Sequence, residues 1–154
     1  MTIMELFIAA SLSFAPTDTS CMALAIYHES RGEGIEGMKA VAWTVKNRHK
    51  SDLFPNNICD VVFEQNKNGC QFSWVCDENP LIPYDEDAWI KAKAIAKKVI
   101  KESNKNDPTG GALFFHNIND KPYWAKDDRF IETTIIKNHQ FYAIMVDNEN
   151  HLYR

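Results

Sequence analysis

An α+β fold, with helices leading and a smaller β-rich part following, is what this 154-residue sequence predicts. Three observations point there. Apolar residues recur at helical spacing in three stretches within the first two-thirds of the chain. After residue 107 the composition turns to the β-branched and aromatic residues of strands. Glycine, proline and asparagine clusters punctuate the boundaries between these stretches. The length is that of a single domain, residues 1–154, large enough to bury a core without disulfides.

"LFIAASLSFAP" reads as an N-terminal helix within residues 1–18. It also has the outline of a signal-peptide apolar core ending in small residues, although "MTIME" lacks the basic residue of such a segment. Thr17 to Ser20 are helix-capping types, and Met22, Ala25 and Ile26 then recur at helical spacing, with Glu29 one turn beyond Ala25. Gly32 and Gly34 end that helix. A second follows in "EGMKAVAWTVKNRHK", where Met38, Val41, Ala42 and Val45 form one stripe. Lys46, Arg48 and Lys50 fall near its C-terminus, where the helix dipole favours cations. "LFPNNICDVV" is a turn and a short apolar segment, and "NGCQFSWVCDENPLIP" is a loop or short-strand region. "DEDAWIKAKAIAKKVIKESN" opens with acids and closes with lysines, so it is the clearest helix, burying Trp89, Ala92, Ile95, Ala96 and Val99. "KNDPTGG" breaks it. "ALFFHN" and "ETTIIKNHQFYAIMV" supply the strands.

A net charge of −4 argues against a nucleic-acid partner, since such binding leans on basic patches. No apolar run is long enough to cross a bilayer. Aromatic residues make up 12% of the chain, a supply of flat faces for a core or for sugar rings. No metal site is expected: "HES" would need a histidine at position 32 to complete H-E-x-x-H, and position 32 is Gly32. Nor does a cofactor motif stand out; "GGALFF" lacks the lysine of a phosphate loop. Spacing leaves the four cysteines open between reduced thiols and a bridge from Cys76 to Cys59 or Cys70.

Glu29 is the residue with chemistry in its surroundings. It comes near the end of a mostly apolar helix, and a carboxyl partly removed from water is harder to ionise. A carboxyl still protonated near neutral pH is suited to general acid work.

The stretch "ALAIYHESRGEGIEGMKAVAWTVKNR" resembles the opening motif of the SleB-type cell wall hydrolases, the family of spore cortex-lytic enzymes. "FPNNICDVVF", "CQFSWVCD", "DPTGGALFFHN", "PYWAK" and "NHQFY" follow in that family's order, so the resemblance runs from about Ala23 to Tyr142. Ser30 stands where the family commonly has alanine; Slt-type transglycosylases place Glu-Ser at the same point. The resemblance implies a lysozyme-like, mainly helical fold and cleavage of the MurNAc–GlcNAc bond of peptidoglycan. It implies a lytic transglycosylase that leaves 1,6-anhydroMurNAc, with Glu29 catalytic and Ser30, Arg31 and Glu33 supporting it.

The alternatives are a muramidase and a catalytically silent peptidoglycan-binding component. A muramidase would take a second carboxylate from Glu33, Asp77 or Glu78. Substrate contacts are expected from Gln71, Phe72, Ser73 and Trp74, from His116 and Asn117, and from Tyr123 with Trp124. The peptidoglycan-binding repeats of spore-lytic members do not accompany the motif, which favours a stand-alone lysis enzyme such as a phage endolysin. Its site of action would be the cell wall or periplasm, its ligand the glycan strand. A lysis complex, a virion or an inhibitor would be its candidate protein partner. In that oxidising setting the resemblance favours a Cys59–Cys76 disulfide over Cys70–Cys76.

Overall fold

Thr17 and Ser20 form a capping box. Thr17 Oγ1 accepts from the Ser20 N–H at 3.1 Å, and Ser20 Oγ accepts from the Thr17 N–H at 2.9 Å. These bonds satisfy donors that a first helical turn leaves open. Helix α1, Asp18–Ser30, starts there. The structure is a computed structural model describing residues 16–77 and 82–145. The N-terminal helix or signal-like segment expected within residues 1–18 therefore lies, apart from residues 16–18, outside the described residues, as does Glu78.

Every residue of α1 from Cys21 to Tyr27 is buried. A helix covered on all sides has no polar face to present, which is why its apolar residues form a run rather than a stripe. It packs against α2 (Gly34–Lys50), α3 (Ile58–Val62) and α4 (Glu86–Lys101). The reversal from α1 to α2 passes through Gly34 at φ +70°, a conformation that L side chains resist.

The predicted stripe of α2 is buried, but so are Lys46 and Arg48, which the sequence suggested as dipole-facing cations. The last turn of α2 instead holds other parts of the chain. Lys46 Nζ donates to the carbonyls of Val99, at 2.8 Å, and Glu102, closing the C-terminus of α4. Asn47 Nδ2 donates to Asp107 Oδ2 at 2.9 Å and to the Ala112 carbonyl at 3.0 Å. Arg48 Nε donates to the Leu113 carbonyl at 2.7 Å. The other end of α4 is fixed by Tyr27, whose hydroxyl accepts from the N–H groups of Tyr84 and Asp85 at 3.1 and 3.0 Å.

The β-rich part has two pieces. A hairpin of β1 (Gln65–Asn66) and β2 (Gly69–Cys70) leads into a 3-10 turn, Ser73–Cys76. The second piece is an antiparallel sheet of β3 (Phe114–Asn117), β4 (Phe130–Ile136) and β5 (His139–Ile144), in the order β3-β5-β4. A second 3-10 turn, Tyr123–Lys126, lies between β3 and β4. Phe141 of β5 is fully buried against Ala40 of α2 and Ala112, seating the sheet on the helices. No helix among the described residues is long and apolar enough to cross a membrane.

The disulfides correct one expectation. Cys59 pairs with Cys21, and Cys76 pairs with Cys70, so Cys59–Cys76 does not form. The reason is packing: α3 lies against the first turns of α1, bringing Cys59 to Cys21 with a Cα separation of 5.2 Å. The 3-10 turn folds Cys76 back on the β2 end, 5.8 Å from the Cα of Cys70.

Candidate active site

Glu29 leaves the buried helix at its C-terminal end and enters a cleft of ≈ 620 Å³. One wall is the β1–β2 hairpin and the loop after it, contributing Gln71, Phe72 and Ser73. The opposite wall carries Tyr123, Trp124 and Asp127. Arg48 lines the cleft beside Glu29. Its guanidinium stands 5.1, 5.0 and 5.5 Å from the ring centres of Phe54, Phe72 and Phe114.

The surroundings decide the state of Glu29. Burial raises its pKa above the ordinary 4.5, outweighing the pull of Arg48 and of the Trp74 indole N–H toward the charged form. The negative end of the α1 dipole opposes an anion in the same place. Trp74 Nε1 acts on the carboxyl without completing a well-formed hydrogen bond. The indole is itself fixed: it stacks on His28 at 4.4 Å and on Phe72 at 6.1 Å. Arg48, wholly enclosed, has its pKa lowered to about 10 by burial, against the opposing effect of Glu29 and Glu64.

The residues singled out from the sequence separate into groups. Glu29, Gln71, Phe72, Ser73, Tyr123 and Trp124 come together in the cleft. Trp74 lies buried behind the wall, next to Glu29. His116 faces a different hollow, where its Nε2 is 2.9 Å from the Tyr142 hydroxyl. Asn117 accepts from the Asn119 N–H through its side chain, closing a turn at 2.9 Å.

Ser30 is buried and donates to the Ile26 carbonyl of its own helix at 2.7 Å. Arg31 pairs with neither Glu29, Glu33 nor Glu36; it donates to the Tyr84 hydroxyl at 2.6 Å and lies over the Tyr27 ring. Glu33 turns away from the cleft to Asn138. Neither Glu33 nor Asp77 lines the cleft.

Sequence reading missed Asp127, the other carboxylate that lines the cleft among the described residues. Arg129 holds it through hydrogen bonds from its side chain and backbone and keeps its pKa at about 2. It also missed Arg48 as a site residue. The signal is the Asn-Arg near the end of α2, but a cation at a helix C-terminus already has an ordinary electrostatic explanation. No group of three His, Cys, Asp or Glu side chains among the described residues is arranged to hold a metal ion.

A family model described as Cell Wall Hydrolase matches residues 32–142. The chain belongs to the cell wall hydrolase family. The matched span begins just beyond Glu29 and takes in Arg48, both walls of the cleft and the sheet. Among similar proteins, the spore cortex-lytic enzyme of Halalkalibacterium halodurans is 35% identical over 104 residues, covering 68% of this chain and 28% of the relative. The spore cortex-lytic enzyme of Bacillus cereus is 36% identical over 104 residues, covering 68% and 36%. This cell wall hydrolase thus spans about a third of the length of these relatives. Among solved structures, the catalytic domain of the germination-specific lytic transglycosylase SleB from Bacillus anthracis superposes with a TM-score of 0.66 at 32% identity. That match covers 85% of this chain and 98% of the other. The catalytic domain of Bacillus cereus SleB gives 0.65 at 32% identity, covering 85% and 93%. The fold is accordingly the lysozyme-like fold of the SleB catalytic domain.

Proposed function

We propose that this cell wall hydrolase cleaves the MurNAc–GlcNAc bond of peptidoglycan as a lytic transglycosylase, acting outside the cytoplasmic membrane. The observation that carries the reading is the setting of Glu29: a carboxyl that lines a cleft, held toward its protonated form by burial. Protonated Glu29 donates to the glycosidic oxygen as the bond to C1 breaks and positive charge develops on the sugar. The resulting carboxylate takes the proton of the MurNAc C6 hydroxyl, whose oxygen closes on C1 and leaves the 1,6-anhydro end. One carboxyl serves twice, so no second acid is needed. Tyr123 and Trp124 offer flat aromatic faces to sugar rings, and two disulfides suit an oxidising site of action.

The second reading is a muramidase, and Asp127 is the observation that favours it, being a carboxylate in the same cleft. Its engagement with Arg129 counts against a role in activating water. Mass spectrometry of digested sacculi distinguishes the two: anhydromuropeptides are expected, and reducing muropeptides alone would make the enzyme a muramidase. Glu29→Gln is expected to lower clearing of purified peptidoglycan by a factor of at least ~10², the scale of a lost general acid, with an unchanged circular dichroism spectrum. Binding without clearing by the unaltered protein would mark a silent component.

A further inference from the structure

The two residues that act on the Glu29 carboxyl each carry a buried N–H donor without a completed hydrogen bond, Arg48 Nη1 and Trp74 Nε1. Buried donors are rarely left open, and one that is calls for a reason. Neither side chain is free to turn elsewhere. Arg48 is tied by Nε to the Leu113 carbonyl and enclosed by Phe54, Phe72 and Phe114. Trp74 is clamped between His28 and Phe72. Both act electrostatically on the Glu29 carboxyl. Glu64, also buried, is the other carboxylate acting on Arg48.

We propose that Arg48 and Trp74 are positioning residues whose two open N–H groups form a seat for the carboxylate that Glu29 becomes after donating its proton, with Glu64 offsetting the Arg48 charge until then. The inference rests on the transglycosylase reading of Glu29. In the first half-reaction the proton moves from Glu29 to the leaving oxygen, and the C1–O electron pair goes with that oxygen. The negative charge left on Glu29 then finds two donors already in place, with no solvent to reorganise. When the C6 hydroxyl returns a proton to Glu29, the seat empties. Without Glu64, the full charge of Arg48 would draw Glu29 into the seat before substrate arrives, and the acid would be spent.

Among the described residues the charged neighbourhood is small. Arg48 comes from α2, and Glu64 follows α3. His28, next to Glu29 on α1, stacks on Trp74. The sheet contributes Phe114 and Phe115 to the cleft, and Asp127 with Arg129 is the charged pair on the opposite wall. No side chain of α3 or α4 lines the cleft.

The test is a ¹³C NMR titration of glutamate-labelled protein, with the Glu29 signal assigned by its loss in Glu29→Gln, in Glu64→Gln and Trp74→Phe variants checked as folded. Glu64→Gln should lower the Glu29 midpoint and Trp74→Phe should raise it, each by about one pH unit. The alkaline limb of the activity profile, where protonated Glu29 is lost, should move the same way. Trp74→Phe should also lower kcat about tenfold with KM changed less than about twofold, the mark of an interaction made after binding. Midpoints that stay within a few tenths of a unit, or that move together, overturn the proposal, as does a KM effect without a kcat effect. Opposite shifts in a protein that yields no anhydromuropeptides would sustain the seat while removing the transglycosylase reading.

Discussion

Glu33 sits in the turn between α1 and α2, and its carboxylate accepts from the Asn138 N–H at 3.2 Å and from the Asn138 Nδ2 at 3.2 and 3.3 Å. It holds the β4–β5 turn, where Lys137 takes φ 53°, against the helix junction. Gly37 makes the approach possible: a Cβ there would collide with the Glu33 side chain. Lys137 adds a 3.5 Å ion pair to Glu36. Charge-assisted bonds of this kind are worth about 1–2 kcal/mol when partly exposed. Glu33→Ala and Asn138→Ala should each lower unfolding stability in urea by about that much, and the double variant should lose little more than either single one. The motif drew attention to Glu33, but its partner lies 105 residues away, and nothing local to either residue reveals the pairing. Glu29 was legible because its evidence is local, an acid closing an apolar helix.

At the scale of elements, the two disulfides have separate tasks. Cys21–Cys59 closes a 38-residue separation between two helices, and chain-entropy arguments assign such a loop roughly 4 kcal/mol. Cys70–Cys76 spans only six residues, worth roughly 2 kcal/mol, but those residues carry Gln71, Phe72, Ser73 and Trp74. A Cys21→Ser, Cys59→Ser variant should therefore lose more in thermal midpoint. A Cys70→Ser, Cys76→Ser variant should lose more peptidoglycan clearing at a temperature where both remain folded. Paired calorimetry and turbidity assays check the contrast. The helices were readable because spacing and caps are local, as at Thr17 and Ser20. The strands were readable from their β-branched and aromatic content. The cysteine pairing was not, since it depends on which turn of α1 meets α3, a matter of packing rather than spacing. The contacts of Lys46 and Arg48 were out of reach for the same reason: their place near the helix C-terminus is local, but only the fold brings α4 and β3 to the end of α2.

For the molecule as a whole, two groups tilt stability with pH in opposite senses. His139 is buried in contact with Phe115, and burial lowers its pKa below 6.5, with His116 adding to the shift and Glu33 opposing it. The unfolded chain then binds the proton more readily, so the folded state loses stability as pH falls below 6.5. Glu29 is raised, so the folded state keeps a proton the unfolded chain gives up, and stability declines as pH rises above 4.5. His139→Phe should flatten the acid side of a urea-midpoint profile, and Glu29→Gln the side above 4.5. An unaltered profile in either variant would show that group to be uninvolved. The fit of the sheet to the helices was beyond sequence reading, because it rests on Phe141 meeting Ala40 and Ala112 across a distance only the folded chain closes. Three consecutive residues, Lys46, Asn47 and Arg48, grip the tail of α4, the 107–112 loop and the entry to β3. A substitution that shifts that single turn would therefore disturb all three attachments at once, and with them the placing of Arg48 in the groove.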